Sequence, residues 1–219
     1  MMLRATFASL LTILLGALPC AAQSPGSGDP EPLPRVDPAR ELRGRALVEA
    51  LRGGGFVLFV RHADQGEMPQ SPDCAVPQLT AGGLAQARRI GEVLREASVP
   101  IGAVRSSPLC RARQTADGIA AGETVIAPGL APSTVPAVVA ERKRLLAEPA
   151  PARTNAILVS HVQGGDREDA IFIGKAGIVV YRPDGRGGTE PVARVPLEAW
   201  DALLREAPAR QAGQAAAAR

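Results

Sequence analysis

Residues 56–62 read FVLFVRH, and residues 156–161 read AILVSH. Phe56–Val60 and Ala156–Val159 are unbroken apolar runs, the pattern of strands buried on both faces. Each run passes at once into a polar pair, Arg61-His62 and Ser160-His161. His62 and His161 are the only histidines in the chain. Open α/β sheets bind ligands beyond the carboxyl ends of their strands. A single histidine is more often structural than catalytic, but here both fall at the same kind of strand end. That coincidence points to one shared site.

Outward from these two strands the pattern alternates. Residues 39–52 have helical composition and stop at Gly53-Gly54-Gly55. Residues 63–78 are irregular, broken by Gly66, Pro69, Pro72 and Pro77. Thr80 is placed to cap a helix on which Leu84, Ala87, Ile90, Gly91 and Leu94 share a face. Ile101–Val104 reads as a short strand. Ser107-Pro108 then opens a helix with the stripe Leu109, Ala112, Ala116 and Ile119. A brief strand at Val125-Ile126 and a helix over 135–147 precede the second histidine strand. After it come a hairpin, Ile178–Tyr181 with Pro191–Val195, and a closing helix, Leu197–Glu206. Strands alternating with helices predict an α/β fold. The expected architecture is a three-layer α/β/α sandwich around a mostly parallel, mixed sheet.

The 219 residues suit one domain with appendages. Arg4, the apolar run Phe7–Leu18, and Pro19-Cys20-Ala21-Ala22 have the layout of a secretory signal peptide over 1–22. Lipidation at Cys20 is the alternative, which Pro19 fits poorly. A periplasmic or secreted protein follows, with no stable membrane span in its mature form. Residues 23–38 hold five prolines among Gly, Ser and Asp and read as a stiff linker. The expected folded domain is 39–207, and 208–219 is an Ala- and Gln-rich tail. Aromatics are only 3% and the net charge is +3 with no basic block, which argues against a nucleic-acid partner. Three cysteines and two histidines match no zinc spacing, so no metal is expected.

Four separated motifs carry a resemblance: FVRHAD (59–64), LTAGGLAQARRIG (79–91), SSPLCRARQTA (106–116) and ILVSH (157–161). In this order they resemble the histidine phosphatase superfamily, in its phosphoglycerate-mutase-like branch. Exported bacterial members, with a Cys before the LT helix and another beside the helix arginine, look closest. The resemblance implies a phosphate pocket of Arg61, His62, Arg111 and His161. His62 would attack phosphorus and become a phosphohistidine. Arg61 and Arg111 would bind the non-bridging oxygens, since guanidinium forks match phosphate and stay charged. His161 would add a donor. This implies an exported, metal-independent phosphomonoester hydrolase with a small phosphorylated substrate and no cofactor. Mutase activity does not fit the exported compartment. The alternative is a catalytically weak phosphate- or anion-binding module on the same fold.

Ala63 and Val162 stand where many members of the family have Gly or another small residue. The general acid, often a Glu before the second histidine, has several candidates: Asp64, ranked first as closest to the nucleophile, then Glu67, Glu141, Asp166 and Glu168. Glu141 lies beside Arg142, Lys143 and Arg144, which read as an exposed helical face. Thr115 is either a packing residue or a support for Arg111. With Cys20 in the signal, Cys74 and Cys110 remain. Export to an oxidising compartment predicts a disulfide between them.

Overall fold

A computed structural model describes residues 36–67, 74–161 and 173–207. Outside these lie the expected signal segment, the tail 208–219, most of the linker, Val162, Asp166 and Glu168. In chain order the elements are α1 (Gly44–Gly53), β1 (Val57–Arg61), α2 (Ala81–Glu96), β2 (Ile101–Ser106), α3 (Cys110–Ile119) and β3 (Thr124–Ile126). A 3-10 turn, Pro128–Leu130, leads to α4 (Pro136–Ala147), β4 (Asn155–Ser160), β5 (Ile178–Pro183) and β6 (Thr189–Val195). A second 3-10 turn, Leu197–Ala199, opens the last helix, α5 (Trp200–Glu206).

The strands form one sheet in the order β3-β2-β4-β1-β5-β6. β3, β2, β4 and β1 are parallel, while β5 runs antiparallel to β1, and β6 to β5. The sheet is therefore mixed and mostly parallel, as expected. Side chains alternate between its faces, and each set enters a different core. Leu58, Val60, Ile157, Val159, Ile178 and Val180 pack with buried residues of α1, α2, α3 and Trp200. Val57, Phe59, Leu158, Val179 and Tyr181 pack with Leu130 and with Leu145 and Leu146 of α4. Helices on both faces make three layers.

The central strands are apolar because both their faces are covered. The polar exception at the start of β4 is buried Asn155. Its Oδ1 accepts from the Phe56 amide at 3.2 Å, and its Nδ2 donates to the carbonyls of Leu51 and Pro100 at 2.8 and 3.0 Å. The side chain thereby offsets its own desolvation and joins three segment ends.

Local signals set most helix boundaries. Thr80 Oγ1 accepts from the Gly83 amide at 2.9 Å and caps α2. Helix α3 begins at Cys110, two residues later than the Ser107-Pro108 signal suggests. Ser107 Oγ accepts from the Leu109 amide at 3.3 Å, so this serine organises the approach to the helix rather than its first turn. The packed chain also starts earlier than residue 39, since Val36 is buried in the α4-side core. The Leu42 amide donates to the Val192 carbonyl at 2.7 Å, laying this entry segment beside edge strand β6. Among the described residues, no helix is long and apolar enough to cross a membrane.

Candidate functional site

Register brings the two histidines together. β1 and β4 are parallel neighbours with Arg61 opposite Ser160. The next residues, His62 and His161, leave the sheet side by side, with ring centroids 5.1 Å apart. β2 lies on the other side of β4 and ends with Ser106 opposite Val159. Helix α3 starts just beyond it and carries Arg111 in its first turn. Three adjacent strand ends thus converge on one place.

The hydrogen bonds assign the ring protons. Arg111 Nε, which can only donate, lies 3.2 Å from His161 Nδ1. His161 therefore holds its proton on Nε2, facing Ser107 Oγ at 2.9 Å. His62 Nδ1 lies 2.9 Å from the Ala63 carbonyl, which can only accept. Its proton is on Nδ1, and Nε2 keeps a lone pair. Burial pushes His62 down to about 4, helped by the charges of Arg111, Arg61 and Lys175 and opposed by the Ala63 bond. Burial also pushes His161 down to about 2, with Arg111, His62, Arg142 and Arg61 adding to the effect. Both rings are neutral at pH 7.

The other expected residues surround this pair. Arg61 Nη1 donates to the Ile173 carbonyl at 2.9 Å. The segment 173–177 wraps the end of β1, with the Arg61 amide on the Gly177 carbonyl at 3.0 Å and the Ala176 amide on the Arg61 carbonyl at 3.2 Å. This fold-back puts Lys175 against the Asp64 carboxylate. Thr115 is buried and serves both readings made of it. Its Oγ1 donates to the Arg111 carbonyl at 2.7 Å and accepts from the Ala63 amide at 3.0 Å, joining α3 to the turn after His62.

Asp64, the first-ranked candidate for the general acid, is held in an ion pair. Its carboxylate receives Lys175, the Thr80 hydroxyl at 3.0 Å and the Gly66 amide at 3.2 Å. Lys175 first, then the Gly66 amide, hold its pKa below the usual carboxylate range. A carboxylate kept ionised by its donors is a poor proton source, which opposes the general-acid role. Glu141 sits on α4 and pairs with Arg144 at 2.9 Å, which likewise favours its ionised form. Glu67 is exposed at the end of a described segment, and Asp166 and Glu168 fall outside the described residues.

Cys74 and Cys110 Sγ atoms lie 1.98 Å apart, with Cα atoms 4.9 Å apart. Beside them Gln114 Nε2 donates to the carbonyls of Cys74 and Val76, each at 3.0 Å. Its Oε1 accepts from the Gln78 amide at 2.7 Å. The irregular loop is thereby clamped to α3 next to Arg111. Ser107, Gln114, Lys175 and Arg142 were not among the residues singled out for the site. Lys175 and Asp64 are 111 residues apart, so no sequence spacing announces their pair. Arg142 is buried instead of lying on an exposed face. Among the described residues, no three His, Cys, Asp or Glu side chains gather as a metal site requires.

The family described as "Histidine phosphatase superfamily (branch 1)" matches residues 57–131, which hold Arg61, His62 and Arg111. Over that stretch, about a third of the chain, the sequence is similar to the histidine phosphatase superfamily. No curated protein matches the sequence. Among solved structures, the protein histidine phosphatase SixA complexed with tungstate is similar with TM-score 0.52 at 20% identity, over 65% of this chain and 97% of that one. A phosphoserine phosphatase mutant from Entamoeba histolytica, in complex with phosphoserine, gives TM-score 0.46 at 15% identity, over 65% and 98% of the two chains. A mycobacterial glucosyl-3-phosphoglycerate phosphatase complexed with VO3 gives 0.45 at 16%, over 63% and 97%. At 20% identity the likeness to SixA is one of fold. The family match ends before β4, and the sheet register brings His161, at that strand's end, beside His62.

Proposed function

We propose that this chain is an exported phosphomonoester hydrolase acting through a phosphohistidine on His62. Arg61, Arg111 and His161 form its phosphate pocket in this reading. One observation carries it: a neutral His62, with its Nδ1 proton committed to Ala63, stands beside a second histidine that Arg111 contacts directly. The lone pair on His62 Nε2 attacks phosphorus as the ester P–O bond breaks. The departing oxygen takes a proton from solvent water. Water then attacks the phosphohistidine, the N–P bond breaks, and inorganic phosphate leaves with the imidazole neutral again. Two guanidiniums stabilise charge on the transferring phosphoryl group, the main task in such reactions. The superfamily match over the RH pair and Arg111 supports this chemistry. The likeness in fold to a phosphatase complexed with tungstate is consistent with an oxyanion pocket. Export is supported by the apolar segment behind Arg4 and by the apposition of Cys74 and Cys110. The signal segment, linker, domain and tail remain proposals in this reading, with packing from Val36 onward.

A second reading, an anion-binding module with little turnover, draws on Asp64. The carboxyl nearest His62 in sequence is held ionised and bound. An activated aryl phosphate separates the two readings because its leaving group needs no proton donor. The purified protein is expected to hydrolyse it in EDTA, and to yield acid-labile phosphate on His62 after a quench. His62→Ala is expected to lose at least about a thousandfold in turnover, as covalent catalysts do without their nucleophile. Equal turnover by the two proteins would sink the mechanism. Phosphate binding without turnover in the wild type would favour the module.

A further inference from the structure

Helix α4 buries the residue that its sequence would expose. Arg142 is 7% exposed, whereas the apolar Val135 just before the helix is 55% exposed. Arg142 shares its face with Leu145 and Leu146, at helical spacings of three and four, so that face is turned to the sheet. A buried cation is costly unless something meets its charge. Arg142 Nη2 donates to the Ala131 carbonyl at 2.6 Å, and its buried Nε has no hydrogen-bond partner. No carboxylate pairs with it among the described residues.

Its surroundings connect it to the site. Ser160 Oγ donates to the Leu130 carbonyl at 2.6 Å, tying the 3-10 turn to the residue before His161. Gly129 lets α4 lie against that turn, since a Cβ there would meet Glu141 Cγ at 2.2 Å and the Arg142 amide nitrogen at 3.2 Å. The Arg142 charge also acts on the His161 ring together with Arg111 and Arg61. Lys175, the cation on the His62 side, is matched by Asp64. Arg142 has no such match. A phosphomonoester is close to a dianion at neutral pH. Arg142 is a further buried positive charge, with an unpartnered Nε, in the layer of the sandwich opposite α3.

We propose that Arg142 is a third guanidinium of the anion site and binds a second anionic group of the substrate. The natural substrate is then a phosphomonoester that carries a further phosphate or carboxylate close to the scissile ester. This rests on the phosphoryl pocket proposed above. The test is calorimetry on the whole chain with two inert probes, methylphosphonate and methylenebisphosphonate, for wild type, Arg142→Gln and Arg142→Lys. Wild type is expected to bind the bisphosphonate about tenfold or more tightly than methylphosphonate, the scale of one charge-assisted contact. Arg142→Gln is expected to lose that margin while binding methylphosphonate within about twofold of wild type. Arg142→Lys is expected to keep part of it, since charge survives but the fork does not. Equal losses for both probes, or none for either, would overturn the proposal. So would a wild type that shows no preference, a result that stands even if the variants fail to fold. A wild type that binds neither probe defeats the phosphoryl pocket itself, and the two failures are thereby told apart.

Discussion

Desolvation acts in the same direction on both histidines, and neighbouring guanidiniums reinforce it. His62 and His161 are the whole histidine content of the chain, so their ring signals can be followed by NMR without ambiguity. His62 is expected to stay neutral until about pH 4, and His161 until about pH 2, against an ordinary value near 6.5. The sign for stability follows from proton linkage. Between pH 6.5 and the folded value, the unfolded chain binds more protons than the folded one. The contribution of each ring to stability is complete above about pH 6.5. It is lost progressively as pH falls, toward about 4 for His62 and about 2 for His161. A ring titrating near 6.5 in the folded protein would show that water reaches a site that the structure buries. The tautomers are part of the same expectation. The His62 proton belongs on Nδ1 and the His161 proton on Nε2, and nitrogen shifts distinguish them.

Between elements, small residues decide how closely α2 and α3 approach. A Cβ at Gly91 would stand 2.1 Å from the Ile119 carbonyl oxygen, and one at Gly118 would stand 2.6 Å from the Ala87 side chain. This contact fixes where α3 sits over the sheet, and so where Arg111 points. Gly91→Ala gains helix propensity of about 1 kcal/mol. Overpacking against backbone costs about 1–3 kcal/mol and outweighs that gain. Gly91→Ala is therefore expected to lower the unfolding midpoint. Gly82→Ala in the first turn of α2 is the contrast, because its Cβ would meet only Thr80 Oγ1, at an ordinary 3.7 Å. It is expected to stabilise by up to about 1 kcal/mol. Thermal or urea unfolding of the two variants checks the pair. Opposite signs are required, and a stabilising Gly91→Ala would show that the helices have room to separate.

For the whole molecule, a bond between the apposed Cys74 and Cys110 would join the irregular loop after His62 to helix α3. Over their separation of 36 residues, such a bond would stabilise by about 4 kcal/mol in the chain-entropy account. Gln114 holds the same loop through three hydrogen bonds. Reduction is expected to lower the unfolding midpoint and to weaken phosphate binding, without altering either histidine tautomer. Non-reduced peptide mapping of protein recovered from the periplasm tests the bond. Two free thiols there would refute both the bond and its part in shaping the pocket.

Local pattern alone determined the layered class, the order of helices and strands, and the placing of both histidines at strand ends. Apolar runs, a capping threonine and a polar pair after a buried strand are short-range signals that survive in any tertiary setting. The RH pair and Arg111 were legible because their motifs are contiguous in the chain. The position of α3 was less so, since Ser107 uses its hydroxyl before the helix and shifts the start to Cys110. Only the tertiary structure placed β4 between β1 and β2, and that insertion sets His161 beside His62. It also turned Asp64 from a proton-donor candidate into the ionised partner of Lys175, and drew Arg142 into the interior. Periodicity records which face of an element is apolar. It carries no information about which distant charge will meet that face, because strand register and helix packing decide that only once the sheet has closed.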